Sequence, residues 1–204
     1  MRKLVLASGN TGKLKEFRRL LSPLGLEVIP QAELGVAEAE EPHHTFIENA
    51  LTKARHAARC TGLPALADDS GLCVSALGGA PGVQSARYAG EPKSDARNTE
   101  KLLFTLAQVA EREAHYACVL VLCRHAEDPE PLIATGDWWG EILEAPRGEG
   151  GFGYDPVFLD PQFGHTAAEL DLERKNRVSH RGKAMAQLLA LIEGRGGLRG
   201  VRRP

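Results

Sequence analysis

The chain has 204 residues, 43% of them hydrophobic and 25% charged, enough for one sizeable core and too apolar for a disordered polypeptide. A formal net charge of -2 argues against a general DNA or RNA binder, which needs a basic excess, and no apolar run approaches the roughly 20 residues of a membrane helix. The four cysteines, Cys60, Cys73, Cys118 and Cys123, form no CxxC pair and no Cys/His cluster of zinc spacing, so they are expected to be buried free thiols.

Lys3 to Ala7 reads as a short buried strand that opens the chain without a signal-peptide pattern, which points to the cytoplasm. Ser8, Gly9 and Asn10 break it, and Lys13 to Leu21 follows with helical spacing of apolar residues. Leu26 to Ile29 suits a second strand, and the acidic stretch from Glu33 to His44 reads as a loop. Thr45-Phe-Ile-Glu48 is a capping box that opens a helix running to about Cys60, closed by Gly62 and Pro64. Leu66 to Asp69 and Leu72 to Ser75 read as two short strands around Ser70 and Gly71, and Gly78 to Gly90 as a turn-rich loop. A helix is expected from Ser94 to about Ala110, then strands at Ala114 to Cys123, Leu132 to Trp139 and Gly140 to Leu143. Arg147 to Asp155 is a glycine-rich loop, and Ser179 caps a last helix from Lys183 to Ile192. Mixed strands and helices in this order predict a single α/β domain over 1–194, with 195–204 as a flexible Gly- and Arg-rich tail.

Four segments carry chemistry. In Ser8-Gly-Asn-Thr-Gly-Lys13 a strand ends, small residues turn the chain and a helix begins, an arrangement that exposes backbone N–H groups to a phosphate. Lys13 and Lys15 oppose the dipole of that helix, a conflict that a bound anion removes; a plain turn with solvated lysines fits the spacing equally. Asp68-Asp-Ser-Gly71 places adjacent carboxylates at a strand end, where one can hold Mg²⁺ or orient water, with Glu38, Glu40 or Glu41 as a further ligand; a turn capped by the aspartates is the competing reading. Gly148-Glu-Gly-Gly-Phe-Gly153 matches GxGxxG, but Tyr154-Asp155-Pro156 stops the helix that a dinucleotide fold requires. A loop presenting Phe152 and Tyr154 to a base fits better, although Phe152 taken alone reads as core. Lys175, Arg177, His180, Arg181 and Lys183 crowd the start of the last helix, the wrong end for cations unless an anion or carboxylate lies nearby.

Together these segments resemble the inosine triphosphate pyrophosphatase family. The matching pieces are SGNTGKLKEF (8–17), TFIENALTKARHA (45–57), ADDSGL (67–72), GAPGVQSARYAG (79–90), GGFGYDPVF (150–158) and SHRGKA (179–184). The resemblance implies an elongated mixed α/β sheet flanked by helices, two lobes around a central nucleotide cleft, and a homodimer. It implies Mg²⁺-dependent cleavage of ITP, dITP and XTP between the α- and β-phosphates, giving a monophosphate and pyrophosphate. By position, Ser8, Gly9, Asn10, Thr11, Gly12 and Lys13 would cradle the phosphates. Asp69 would act as metal ligand or as base toward water, and Glu41, or less favourably Glu40, would be the second ligand. Ser70, Phe152, Gly153, Tyr154, Asp155, Lys175, His180 and Arg181 would contact the nucleotide. Some relatives carry small residues where this chain has Asn176-Arg177-Val178.

A 6-keto purine suits a pocket of hydrogen-bond donors, and Arg181, His180 and loop N–H groups are the candidates; a 6-amino purine would leave donor facing donor. Three other classes remain in view: a Maf-like pyrophosphatase acting on pyrimidine or modified nucleotides, a non-catalytic purine sensor, and an RNA-binding module. Net charge and scarce aromatics weigh against the last.

Overall fold

The computed structural model describes residues 2–9, 14, 17–19, 21–22 and 25–195. Seven strands form one mixed sheet in the order β2-β1-β3-β4-β5-β6-β7, flanked by helices. The strands are β1 (Arg2–Ala7), β2 (Leu26–Pro30), β3 (Ala65–Val74), β4 (Glu113–Cys123), β5 (Leu132–Ile142), β6 (Phe158–Asp160) and β7 (His165–Thr166). The helices are α1 (Phe46–Thr61), α2 (Asp95–Thr105), α3 (Leu172–Val178) and α4 (His180–Gly194). Leu14, Phe17 to Arg19 and Leu21 are also helical, and Phe17 and Leu21 are fully buried as the spacing requires. No described helix is long and apolar enough to cross a membrane.

The chain separates into two compact units. The first comprises residues 1–69, 119–135 and 184–204. Its core joins Val5, Ala7, Ala65, Ala67, Val121 and Cys123 of the strands to Ala50, Ala54, Ala57 and Ala58 of α1. Those alanines recur at helical spacing, so α1 presents one smooth face, and small side chains let a helix lie close to a sheet. Thr45 caps α1 as expected: its Oγ1 accepts the Glu48 N–H at 3.3 Å and lies 2.6 Å from Glu48 Oε2. Gly62 ends it at φ 66, in the left-handed region, with its N–H on Ala58 O at 2.9 Å. β1 pairs in parallel with β2 on one side and β3 on the other, in the register Leu6↔Leu66 and Ala7↔Ala67.

The second unit comprises residues 70–118 and 136–183. Its core is aromatic: Tyr116, Trp138, Tyr154 and Phe158 pack with Leu72, Leu102 and Ile142. Trp138 Nε1 donates to Asp160 Oδ2 at 2.7 Å, which satisfies the buried indole.

Several elements differ from their sequence reading. The two strands expected around Ser70 and Gly71 are one, β3, whose extended path is held by Ser85: its hydroxyl accepts the Leu72 N–H at 2.9 Å. β5 likewise runs unbroken through Gly140, where a Cβ would collide with Leu159 O and the Phe158 ring. α2 stops at Thr105 rather than near Ala110, because the Arg112 guanidinium takes the Leu106 and Val109 carbonyls at 2.9 and 3.4 Å. A separate helix, α3, capped by Asp171, precedes α4, and α4 begins at His180 rather than Lys183. Ser179 does cap α4, accepting the Gly182 N–H at 3.2 Å. Cys118 and Cys123 are buried, but Cys73 is half-buried and Cys60 exposed; all four are free thiols.

Candidate active site

In the first unit the parallel pairing decides the geometry. Because Ala7 is in register with Ala67, Ser8 and Gly9 leave β1 beside Asp68 and Asp69 on β3. β1 is also where the strand order turns, with β2 on one flank and β3 on the other, and ligands of open α/β sheets collect at such strand ends. Asn10, Thr11, Gly12, Lys13 and Lys15 lie outside the described residues.

The acidic stretch before α1 is strapped to that helix at intervals of about one turn. Asn49, almost fully buried, accepts the His43 N–H at 3.1 Å and donates to His43 O at 3.2 Å. His56 Nε2 meets Ala37 O at 3.0 Å. Lys53 lies between these residues on α1 and bridges two carboxylates, with Nζ 2.6 Å from Glu41 Oε1 and 3.2 Å from Asp69 Oδ1. Of the three glutamates left open by the sequence, Glu38, Glu40 and Glu41, Glu41 is joined to Asp69 through Lys53.

Three carboxylates share one ammonium. Glu41, Asp68 and Asp69 all act on the Lys53 ammonium, whose side chain is 13% exposed. Burial works to lower the Lys53 pKa, but the three carboxylates outweigh it and raise it. Asp69 moves the other way in energetic terms: burial raises its pKa, the pull of Lys53 only partly offsets this, and repulsion from Glu41 and Asp68 adds to it. Asp69 Oδ2 is buried and makes no hydrogen bond among the described residues. A buried carboxylate oxygen with no hydrogen bond among the described residues suits a further cation. Among the described residues no group of three or more His, Cys, Asp and Glu is arranged to hold a metal. Asp69 and Glu41 could together supply a two-carboxylate set of the kind Mg²⁺ uses with phosphate oxygens.

The second unit holds the remaining expected residues, among them Ser70, a half-buried β3 residue beside Asp69 in the chain. Asp155 is its hub. The buried Asp155 Oδ2 accepts from Lys175 Nζ and, at 2.8 Å, from the Phe152 N–H; Oδ1 lies 3.4 Å from Tyr116 OH. Burial, then Asp155, push the Tyr116 phenol well above its usual range, so it stays protonated and donates. His180 stacks on Tyr116 with ring centroids 4.8 Å apart and planes 14° from parallel. Arg181 is 8% exposed, a buried guanidinium beside this aromatic floor in sequence.

The glycine loop resolves one alternative and corrects another. Phe152 is 59% exposed, so it is not a core residue, and Lys175 Nζ sits 5.4 Å from its ring centroid. Tyr154 is not presented by the loop: it is 3% exposed and its hydroxyl donates to Ser85 O at 2.8 Å. Gly151 is required, since a Cβ there would collide with the Asp155 carboxylate and its φ of 77 disfavours any side chain.

Sequence reasoning missed Lys53 and Tyr116. Lys53 falls inside a matched segment, and its distance of eight positions from the cap Thr45 places it two turns along α1, but nothing in the spacing says which way the loop before the helix returns. Tyr116 sits in an ordinary strand pattern and carries no local signal.

A family model, described as the Ham1 family, matches residues 4–191. The chain belongs to the Ham1 family. This bears out the family read from the six sequence segments. The chain is similar to the dITP/XTP pyrophosphatase of Ralstonia nicotianae, 66% identical over 192 residues that cover 93% of this chain and 96% of the relative. The dITP/XTP pyrophosphatase of Nitrosomonas europaea is 62% identical over 192 residues, covering 94% and 95%. Among solved structures, a HAM1 protein from Coxiella burnetii superposes with a TM-score of 0.92 at 51% identity, covering 95% of this chain and all of that one.

Proposed function

We propose that this chain is a dITP/XTP pyrophosphatase that hydrolyses nonstandard purine nucleoside triphosphates, including ITP, to the monophosphate and pyrophosphate. The observation that carries this reading is the near end-to-end match, above 60% identity, to Ham1 relatives of that name. Such an enzyme clears the nucleotide pool before these bases enter DNA or RNA.

Asp69 and Glu41 would hold Mg²⁺. Bound there, the ion supplies positive charge against the phosphate oxygens and the leaving pyrophosphate. Water attacks the α-phosphorus in line, the bond from that phosphorus to the bridging oxygen breaks, and pyrophosphate departs. Asp69 serves as metal ligand, as acceptor of the water's proton at the unengaged Oδ2, or as both. Lys53 holds Asp69 and Glu41 in position and adds positive charge beside them. Ser8 to Lys13 cradle the triphosphate with backbone N–H groups and the lysine. Ser70 touches the substrate at the β3 position next to Asp69.

In the second unit Phe152 stacks on the purine, while His180, Arg181 and loop N–H groups offer donors to a 6-keto oxygen. Lys175 and Asp155 hold the loop and Lys175 adds charge toward the nucleotide. The chain works as a cytoplasmic homodimer, without nucleic acid or membrane as partner.

The test is a substrate panel of dITP, XTP, ITP, dATP, dGTP, dTTP and UTP, with and without Mg²⁺, measuring pyrophosphate, orthophosphate and monophosphate. Pyrophosphate and monophosphate should form one for one from dITP, XTP and ITP, and only with the cation. Preference for dTTP or UTP, release of orthophosphate, or tight binding without hydrolysis would each overturn the reading.

A further inference from the structure

An exposed ring between two glycines has little to fix it. Phe152 lies outside the core, and Gly151 and Gly153, with φ of 77 and 61, are the residues with the most conformational freedom to lose. Yet three successive peptide groups around Phe152 are each tied to a side chain. The Phe152 N–H is held by Asp155 at 2.8 Å. The Gly153 N–H is held by Asp95 Oδ2 at 2.8 Å, and the Gly153 carbonyl accepts from Thr99 Oγ1 at 3.3 Å.

Two of the three ties come from α2. Asp95 is the first residue of that helix, after the cap Ser94, whose hydroxyl accepts the Arg97 N–H at 3.4 Å. Thr99 lies four positions on, one turn along the same face, and is 9% exposed. The helix is anchored in turn by Asn98, which accepts the Ala89 N–H at 2.7 Å and donates to Ser85 O and Ala86 O at 3.3 and 3.1 Å. Asp95 and Thr99 therefore grip the loop from a fixed support, and they grip the peptide immediately after the aromatic ring.

We propose that Asp95 and Thr99 are positioning residues for base recognition: they hold the Gly153 peptide so that Phe152 stands ready for the purine. This rests on the reading of Phe152 as the base-stacking ring. Helix α2, which contributes no nucleotide contact in that reading, then sets affinity for the base by lowering the ordering cost of the loop. A loop that must be ordered at binding weakens ground state and transition state alike, so the effect falls on KM and leaves kcat.

The experiment combines dITP kinetics with hydrogen exchange on Asp95→Ala, Asp95→Asn, Thr99→Val, Phe152→Ala and the double variant Asp95→Ala/Phe152→Ala. Asp95→Ala should raise KM about five- to tenfold, as expected for an exposed hydrogen bond to a charged acceptor, with kcat within about twofold. Exchange should quicken across 150–155 and stay unchanged in α1. Asp95→Asn keeps an acceptor oxygen and should restore KM. Thr99→Val should act in the same direction more weakly, and it carries the test if Asp95→Ala folds poorly. In the Phe152→Ala background, Asp95→Ala should add less than about twofold. A full Asp95→Ala effect in that background, or a KM unchanged by both α2 substitutions while Phe152→Ala raises it, overturns the proposal and leaves the base-stacking reading standing. A KM unmoved by Phe152→Ala overturns the base-stacking reading itself.

Discussion

The two clusters of functional side chains are built on opposite charge arithmetic. In the first unit one ammonium, Lys53, is acted on by three carboxylates, and among the described residues Asp69 Oδ2 makes no hydrogen bond. In the second unit one carboxylate, Asp155, faces Lys175, the Phe152 N–H and the Tyr116 hydroxyl, so donors converge on the anion from three directions in the chain. A carboxylate in surplus costs stability and waits for a cation; a carboxylate in deficit ties its surroundings together. The first arrangement suits chemistry and the second suits shape.

Asp69→Asn is the sharpest way to separate them. Loss of a group that binds the cation or takes the proton should lower kcat/KM by about a thousandfold or more. The same change should leave the melting temperature equal or higher at pH 7 in the absence of divalent cations. The sign follows from the raised pKa of Asp69. Its stabilising protonated form is fully present below the unfolded-state value of 3.8 and is lost as pH rises through the higher folded-state value, so ionised Asp69 opposes folding at neutral pH. The parent should therefore gain on the variant as the pH is lowered toward that value. A melting temperature that falls in the variant at pH 7 would erase the distinction drawn here.

Asp155→Ala should do the reverse. It strands the half-buried Lys175 and releases the Phe152 N–H, and is expected to cost about 3 kcal/mol by chemical denaturation, together with a raised KM. Unchanged stability would mean that Asp155 does not tie this region together. The smallest effect expected is on selectivity: Arg181→Ala should reduce the preference for ITP over ATP by about tenfold, and an unchanged ratio in paired kcat/KM measurements would remove Arg181 from base discrimination.

Much of this was legible in the sequence where the signal is local. The cap at Thr45, the stop at Gly62 and the end of β1 at Ala7 depend on neighbours in the chain, and they appear where the residues put them. The family match covers the same segments that carried the resemblance. What sequence reasoning missed depends on distant partners. β3 passes straight through Ser70 and Gly71 because Ser85, thirteen positions beyond Leu72, supplies hydrogen bonds a local reading cannot see. Tyr154 turns inward because a carbonyl far back in the chain, that of Ser85, accepts its hydroxyl. Lys53 stood in a matched segment without a role, since its two partners come from a loop and a strand whose meeting only the fold specifies.

The run of alanines beneath α1 has a further consequence. Ala54 and Ala57 are fully buried against the strands, directly next to and one turn beyond Lys53 in the helix. They behave as shims: their thickness decides how high the ammonium stands over the carboxylates. A methyl group added there would lift the lever without touching its charge, so the spacing between Lys53 and its two carboxylates can be retuned from the buried side of the helix.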